Sequence, residues 1–178
     1  TLVQELFCIE TLARVDTLCL DKTGTITEGT MKVEFDVKIC NVDIDEIIGN
    51  LINSSTDENV TSNALKKHYS KVCNYKLCHN IPFSSDRKYS GASFYQKGTY
   101  YLGAYQFLFP QGNDALETLC NKYADDGYRI LVLAHSNEVM QKDDLPLDLT
   151  PYGIIVLSDV IRKDAKEILA YFDKQSTV

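Results

Sequence analysis

The sequence predicts an α/β fold carrying a large α+β insertion, with an antiparallel sheet flanked by helices at its centre. Three observations lead there. The apolar run Val15–Leu20 ends abruptly in Asp21-Lys22-Thr23-Gly24-Thr25-Ile26-Thr27; a buried strand that ends in a carboxylate is how an α/β sheet presents a reactive group at the carboxyl edge of its strands. The middle of the chain mixes amphipathic helical stretches with short runs rich in β-branched and aromatic residues. A late apolar strand, Ile154-Ile155-Val156-Leu157, is followed by a helical stretch from Asp164 to Asp173, so two strand segments frame an inserted domain.

Each element has its own signal. Glu28-Gly29 predicts a turn, and Met31–Ile39 then alternates apolar with charged residues, the pattern of a half-buried strand. Asp43 or Asp45 can cap a helix whose Ile44, Ile47, Ile48, Leu51 and Ile52 share one face, and the polar segment from Asn53 to Glu58 breaks it. A second helix is expected from about Thr61 to Val72, with Ala64, Leu65, His68 and Tyr69 inward. From Tyr75 to Leu102, β-branched and aromatic residues interrupted by Gly91 and Lys97-Gly98 predict several antiparallel strands. Asn113-Asp114 opens a helix that stops at Gly127, and Tyr128–Ala134 reads as a buried strand. A polar loop with Pro146 and Pro151 precedes the last strand, and Ile168, Leu169 and Phe172 give the final helix its inward face.

Composition narrows the function classes. The 178 residues carry a net charge of −7, which argues against nucleic acid or an anionic membrane surface as the main partner. No apolar run approaches the roughly 18 residues of a membrane-spanning helix, and the first residues do not read as a signal peptide, so a soluble piece is expected. Six cysteines, Cys8, Cys19, Cys40, Cys73, Cys78 and Cys120, include no C-x-x-C pair and read as reduced cytosolic thiols. His68, Cys73, Cys78 and His79 lack a standard zinc-ligand spacing.

Asp21 is the candidate nucleophile. A transferred phosphoryl group needs its charge met by a metal ion and by backbone N–H groups, which Gly24 lets approach, with Thr23 and Thr25 adding hydroxyl donors. The motif D-K-T-G-T-I-T, with its lead-in Ile9–Val15, resembles the phosphorylation signature of the P-type cation-transporting ATPases. That resemblance implies that Asp21 accepts the γ-phosphoryl of ATP within a loop that also contains Lys22, and that Asp21 and the carbonyl of Thr23 are Mg²⁺ ligands. It also implies that the terminal segments are parts of a haloacid dehalogenase-like phosphorylation domain. Phosphatases of that superfamily usually carry a second Asp two residues after the nucleophile, where this chain has Thr23. Without that base an aspartyl-phosphate should persist longer.

A nucleotide constellation lies within the insertion. In Pro82-Phe83-Ser84-Ser85-Asp86-Arg87-Lys88 an aromatic ring suited to stacking on adenine precedes two cations suited to phosphate. The segment resembles the family's F-S-x-x-R-K, which implies that Phe83 stacks on the base while Lys88, with Arg87 nearby, lies along the nucleotide. Gly103-Ala104 resembles the family's K-G-A segment with Leu102 in the lysine position. Either Lys97 reaches the site from across the hairpin or packing by Leu102 replaces the contact; Gly103 should allow close approach of the nucleotide. Thr61–Leu65 resembles T-E-x-A-L, with Ser62 replacing an acidic residue that contacts adenine. Gly127-Tyr128-Arg129 resembles the segment whose arginine the family places near the phosphates, which implies that role for Arg129, and Ser158-Asp159-Val160-Ile161-Arg162 resembles the D-P-x-R hinge, implying that Asp159 and Arg162 help hold ATP and couple domain closure.

The expected organisation is residues 1–27 as a phosphorylation-domain fragment, 28–159 as the nucleotide-binding domain, and 160–178 as hinge and renewed phosphorylation domain. The expected function is the ATP-binding cytosolic part of a cation pump on the cytoplasmic face of a membrane, of a bacterial type. Its partners would be ATP, Mg²⁺ and the rest of the same polypeptide, without which the fragment should be inactive. A soluble phosphatase or phosphotransferase of the same superfamily and a non-catalytic nucleotide-binding module are the alternatives.

Overall fold

The computed structural model describes residues 17 and 19–175. Of the expected strand Val15–Leu20, Val15, Asp16 and Leu18 lie outside these residues, as do Cys8 and the lead-in Ile9–Val15; Thr17, Cys19 and Leu20 carry no regular structure. The chain divides into two compact units, one made of the residues up to Gly29 and from Val160 on, the other of Thr30–Asp159.

A six-stranded sheet organises the larger unit, built from β1 (Thr27–Lys38), β2 (Leu77–Ile81), β3 (Tyr89–Phe94), β4 (Gly98–Gly103), β5 (Arg129–Ser136) and β6 (Thr150–Ile161) in the order β1-β6-β5-β4-β3-β2. The β2–β3, β3–β4, β4–β5 and β5–β6 pairings are all antiparallel. Alternation sends neighbouring residues to opposite faces: Leu102 and Leu133 join one buried cluster while Tyr101 and Val132 join another. Helices α1 (Ile44–Asn53) and α2 (Val60–His68) cover the first face, and α3 (Tyr105–Leu108) and α4 (Asp114–Ala124) the second.

The first helix forms as its sequence dictates. Asp43 caps it by accepting the Glu46 N–H at 3.1 Å, and all five of Ile44, Ile47, Ile48, Leu51 and Ile52 are buried. Each such side chain contributes about 1.5–3 kcal/mol on leaving water. Asn50, on the same helix, is 2% exposed. Its Nδ2 donates to Glu46 O at 2.7 Å, and its Oδ1 accepts the N–H groups of Cys73 and Tyr75, each at 3.2 Å. One buried amide thereby fastens the returning chain to the helix.

That fastening explains a departure from expectation. Helix α2 ends at His68 rather than near Val72 because Tyr69 turns extended and buries its ring, and the following residues run back along α1. His68, expected inward, is exposed, with its ring edge-on to Tyr69. Strand β6 is longer than the apolar run suggests and takes in Pro151, opposite Ala134, where the register of β5 and β6 shifts. A proline that donates no hydrogen bond is tolerated at such an irregularity. Glu28 and Gly29, expected as a turn, lie inside β1.

In the smaller unit, α5 (Ala165–Gln175) confirms the predicted last helix, but Ile168, Leu169 and Phe172 remain 40–43% exposed. Among the described residues of that unit Ala165 is the one buried apolar side chain. Cys19, Cys40, Cys73, Cys78 and Cys120 are free thiols. Burial pushes the Cys120 thiol up to about 11, which leaves it inert at neutral pH.

Replacing Asn50 by Ala strands the N–H groups of Cys73 and Tyr75 and is expected to destabilise the fold by about 2–3 kcal/mol in urea denaturation. The loss should be larger than that for a change at the exposed end of the same helix.

Candidate functional site

A cavity of about 610 Å³ opens where the end of α1, the following loop and α2 meet the ends of β3, β4 and β5. Its wall includes Asp57, Ser62, Phe83, Lys88, Gly103 and Arg129. Five of the eight residues expected to bind nucleotide therefore converge, from positions as far apart as 62 and 129.

Phe83 is 45% exposed, an unusual exposure for a ring in a cavity wall and one that leaves a face open for stacking. Its backbone N–H donates to Asp57 Oδ2 at 3.0 Å, which fixes the chain carrying the ring. Lys88 sits at φ +55, a left-handed conformation that costs a non-glycine residue roughly 1–2 kcal/mol. Two backbone bonds hold it there: its N–H donates to Ser84 O at 2.8 Å, and its carbonyl accepts the Ala104 N–H at 3.1 Å.

Gly103 also has a packing reason to be glycine. A Cβ at this position would stand 2.4 Å from Tyr89 Cβ and 2.7 Å from Lys88 O, so the neighbouring strand already takes up the space. The pairing of β3 with β4 itself requires the glycine. Leu102 is 5% exposed and lines the cavity. Lys97 is turned away: its Nζ lies 4.2 Å from the centroid of the Tyr75 ring, and its carbonyl accepts the His135 Nε2–H at 2.8 Å. Of the two alternatives for this hairpin, packing by Leu102 is the one the geometry supports.

Ser62 works in the helix start. Its Oγ accepts the Asn59 N–H at 2.9 Å and lies 2.9 Å from the carbonyl of Asp57, while Asn59 Oδ1 accepts the Ser62 N–H. This reciprocal cap of α2 uses the Ser62 oxygen as acceptor, and the hydroxyl proton faces the carbonyls of Asp57 and Asn59, each 2.9 Å away. Arg129 contributes from the first residue of β5.

Arg87 and Asp159 do not line the cavity. Arg87 Nη1 pairs with Asp143 Oδ2 at 2.9 Å and Nη2 donates to Pro82 O at 2.9 Å, while His79 Nε2 holds the other oxygen of Asp143 at 3.0 Å. It straps the loop between β5 and β6 to β2. Arg162 lies in the smaller unit, where its backbone N–H donates to Ile26 O at 3.0 Å and its guanidinium faces Thr27 O at 3.4 Å and Gly24 O at 3.3 Å. It braces the loop that carries Asp21.

In that loop, Lys22–Ile26 form an irregular helical turn with Gly24 at φ +77. The Gly24 N–H donates to Thr27 Oγ1 at 3.2 Å, so it is spent on the turn rather than offered to a ligand. Asp21, Lys22, Thr23 and Thr25 are exposed. The Asp21 carboxylate makes no capping bond to the turn, which removes the simplest structural reason for an aspartate there.

No family model matches the sequence. Individual proteins do: the chain is 39% identical to the probable cation-transporting ATPase exp7 of Streptococcus pneumoniae, in a match covering 98% of this chain and 23% of that protein. The calcium-transporting ATPase CtpE of Mycobacterium tuberculosis is 33% identical over 98% of this chain and 22% of its own length. The chain belongs with the P-type cation-transporting ATPases. It spans less than a quarter of the length of these relatives. The fold agrees with solved members of the P-type family. A zinc-transporting PIB-type ATPase in its E2.Pi state superposes with a TM-score of 0.65 at 18% identity, covering 94% of this chain and 25% of that one. The catalytic domain of the CPx-ATPase CopB-B gives 0.52 at 16% identity, covering 98% and 54%.

Sequence reasoning passed over Asp57, which stands in a segment legible only as a helix breaker. It also assigned Arg87 to the nucleotide because a run of two cations gives no sign of which way each one points.

The strap predicts a pH signature. His79 first, and then Arg87, hold the Asp143 carboxyl below the usual carboxylate range. A depressed folded value gives a contribution present above the unfolded value of about 3.9 and lost as pH falls through the folded one. Asp143→Asn is therefore expected to cost up to about 1 kcal/mol near pH 7, the side chain being 38% exposed, and to converge on the parent protein in urea titrations at a pH acid enough to protonate the folded carboxyl.

Proposed function

We propose that this chain is the ATP-binding part of a P-type cation-transporting ATPase, in which ATP phosphorylates Asp21 and the phosphorylated protein drives an ion across a membrane. The observation that supports it most is the convergence of Phe83, Lys88, Gly103 and Arg129 on one cavity. Phe83 offers a stacking face for adenine, Lys88 and Arg129 offer charge to the phosphates, and Leu102 supplies an apolar wall. The cavity is also large enough for a ligand of this size.

The exposed loop after the first segment is read as the phosphoryl acceptor. Arg162 holds its carbonyls, and with α5 it forms part of a haloacid dehalogenase-like phosphorylation domain. The divisions at 28 and 159, the cytoplasmic placement and the dependence on the remainder of the polypeptide belong to the same reading. Asp21 and the carbonyl of Thr23 would hold Mg²⁺, which when bound would offset phosphate charge. Among the described residues no group of three His, Cys, Asp or Glu side chains could hold a metal, so these two donors alone do not make a closed site. No helix among the described residues is long and apolar enough to cross a membrane.

Three experiments test the reading. Titration of the chain with ATP, followed by NMR, should shift the signals of Phe83, Lys88 and Gly103, and Phe83→Ala should weaken binding about tenfold or more, the loss of a stacked base. Lys88→Gly should weaken binding to a similar degree while holding or raising the melting temperature, because glycine relieves the backbone strain as the charge is removed. Shifts gathered around His68 and Cys78 would sink the nucleotide reading. In the full-length protein, incubation with ATP should leave an acid-stable phosphate on Asp21 that Asp21→Asn abolishes.

A further inference from the structure

Arg87 stands next to Lys88 in the sequence, yet its guanidinium is turned into the protein rather than toward the cavity. Nη2 donates to Pro82 O at 2.9 Å, Nη1 donates to Asp143 Oδ2 at 2.9 Å, and Nε is buried. The guanidinium carbon lies 5.6 Å from the centroid of the Tyr89 ring. Asp143 is held in turn by β2 and β3: its other carboxylate oxygen pairs with His79 Nε2 at 3.0 Å, and its carbonyl accepts the Tyr89 hydroxyl at 2.9 Å.

These bonds close a loop around the stacking ring. Pro82 directly precedes Phe83, so the bond from Arg87 joins the two ends of segment 82–87. The Phe83 N–H is fixed as well, on Asp57 Oδ2 at 3.0 Å. The half-exposed ring is thus carried on backbone pinned at Pro82 and at Phe83 itself. Lys88 is held independently, through Ser84 O and the Ala104 N–H, so what Arg87 governs is the ring and not the neighbouring charge. A ring on an open loop loses conformational freedom when a base stacks on it; a ring already in place loses less, and the difference appears as affinity.

We propose that Arg87 is a positioning residue for the nucleotide base, acting on Phe83 through the Pro82 carbonyl with Asp143 as its anchor, a role that rests on the nucleotide reading of the cavity. Asp143 also offsets the charge of Arg87, which leaves that cation a poor partner for phosphate. Part of the affinity is then set by the loop between β5 and β6, which contributes no residue to the cavity wall.

Titration of the 178-residue chain and its variants with ATP and with adenosine, followed by NMR, separates positioning from direct contact. Arg87→Gln is expected to weaken both ligands by the same factor, about three- to tenfold, the cost of ordering the ring at the moment of binding. Asp143→Asn, which removes the charged anchor, should reproduce part of that loss, again equally for the two ligands. In a Phe83→Ala background, Arg87→Gln should change ATP binding by less than about twofold, because the ring it positions is gone; a role in general stability would lower affinity in both backgrounds alike. A loss larger for ATP than for adenosine would put Arg87 on the phosphates and overturn the role, as would unchanged affinity in Arg87→Gln or an undiminished effect in the Phe83→Ala background. Should Arg87→Gln fail to fold, Asp143→Asn decides by the same comparison of ligands. Failure of the unaltered chain to bind ATP or adenosine would remove the nucleotide reading and this role with it.

Discussion

The close approach of β4 to β3 at Gly103 is the constraint on which the cavity depends. Because Tyr89 and the carbonyl of Lys88 fill the place of a side chain there, the two strands meet without a gap, and the Ala104 N–H can reach Lys88 O. That bond and the turn bond to Ser84 keep Lys88 in a backbone region it would not choose. A strained lysine at the mouth of a cavity is the expected trade of stability for a placed charge. Had residue 103 carried a methyl group, β3 would have to move, and Lys88 and Phe83 with it.

The second organising device lies on the opposite wall. Asn50, Asn59 and Ser62 are small polar residues whose hydrogen bonds are all local or to backbone, yet together they fix where α1 ends and α2 begins. The loop between those helices is the part of the wall that carries Asp57. Burial of the isoleucine face supplies most of the energy, but it is indifferent to direction; the directional bonds decide where the loop stands.

Much of this was legible in the sequence for physical reasons. The period of Ile44–Ile52 and the cap at Asp43 define a helix without outside help, and the β-rich stretch from Leu77 to Gly103 pairs locally, through short turns. The motifs around Phe83 and Asp21 were visible because their chemistry requires consecutive residues. What escaped notice was anything decided at long range. The chain that leaves α2 after His68 is held by a buried amide more than twenty positions back on α1, which binds Cys73 and Tyr75. The direction of Arg87 is set by Asp143, on a loop 56 residues further along the chain. Neighbouring cations on a turn look alike in a sequence; only the partner across the fold separates the one that straps a loop from the one that faces the cavity.

Leu102 has a thermodynamic consequence. It places an apolar side chain where the family resemblance calls for an ammonium group, and Lys97 is engaged with Tyr75 instead of compensating. Among the described residues two cations then line the cavity, Lys88 and Arg129. Ligand capture in this cavity would lean on desolvation of an apolar wall more than on ion pairing, which gives it a shallow dependence on ionic strength and a pronounced negative heat-capacity change. A pocket tuned in that way keeps its grip when the salt around it changes.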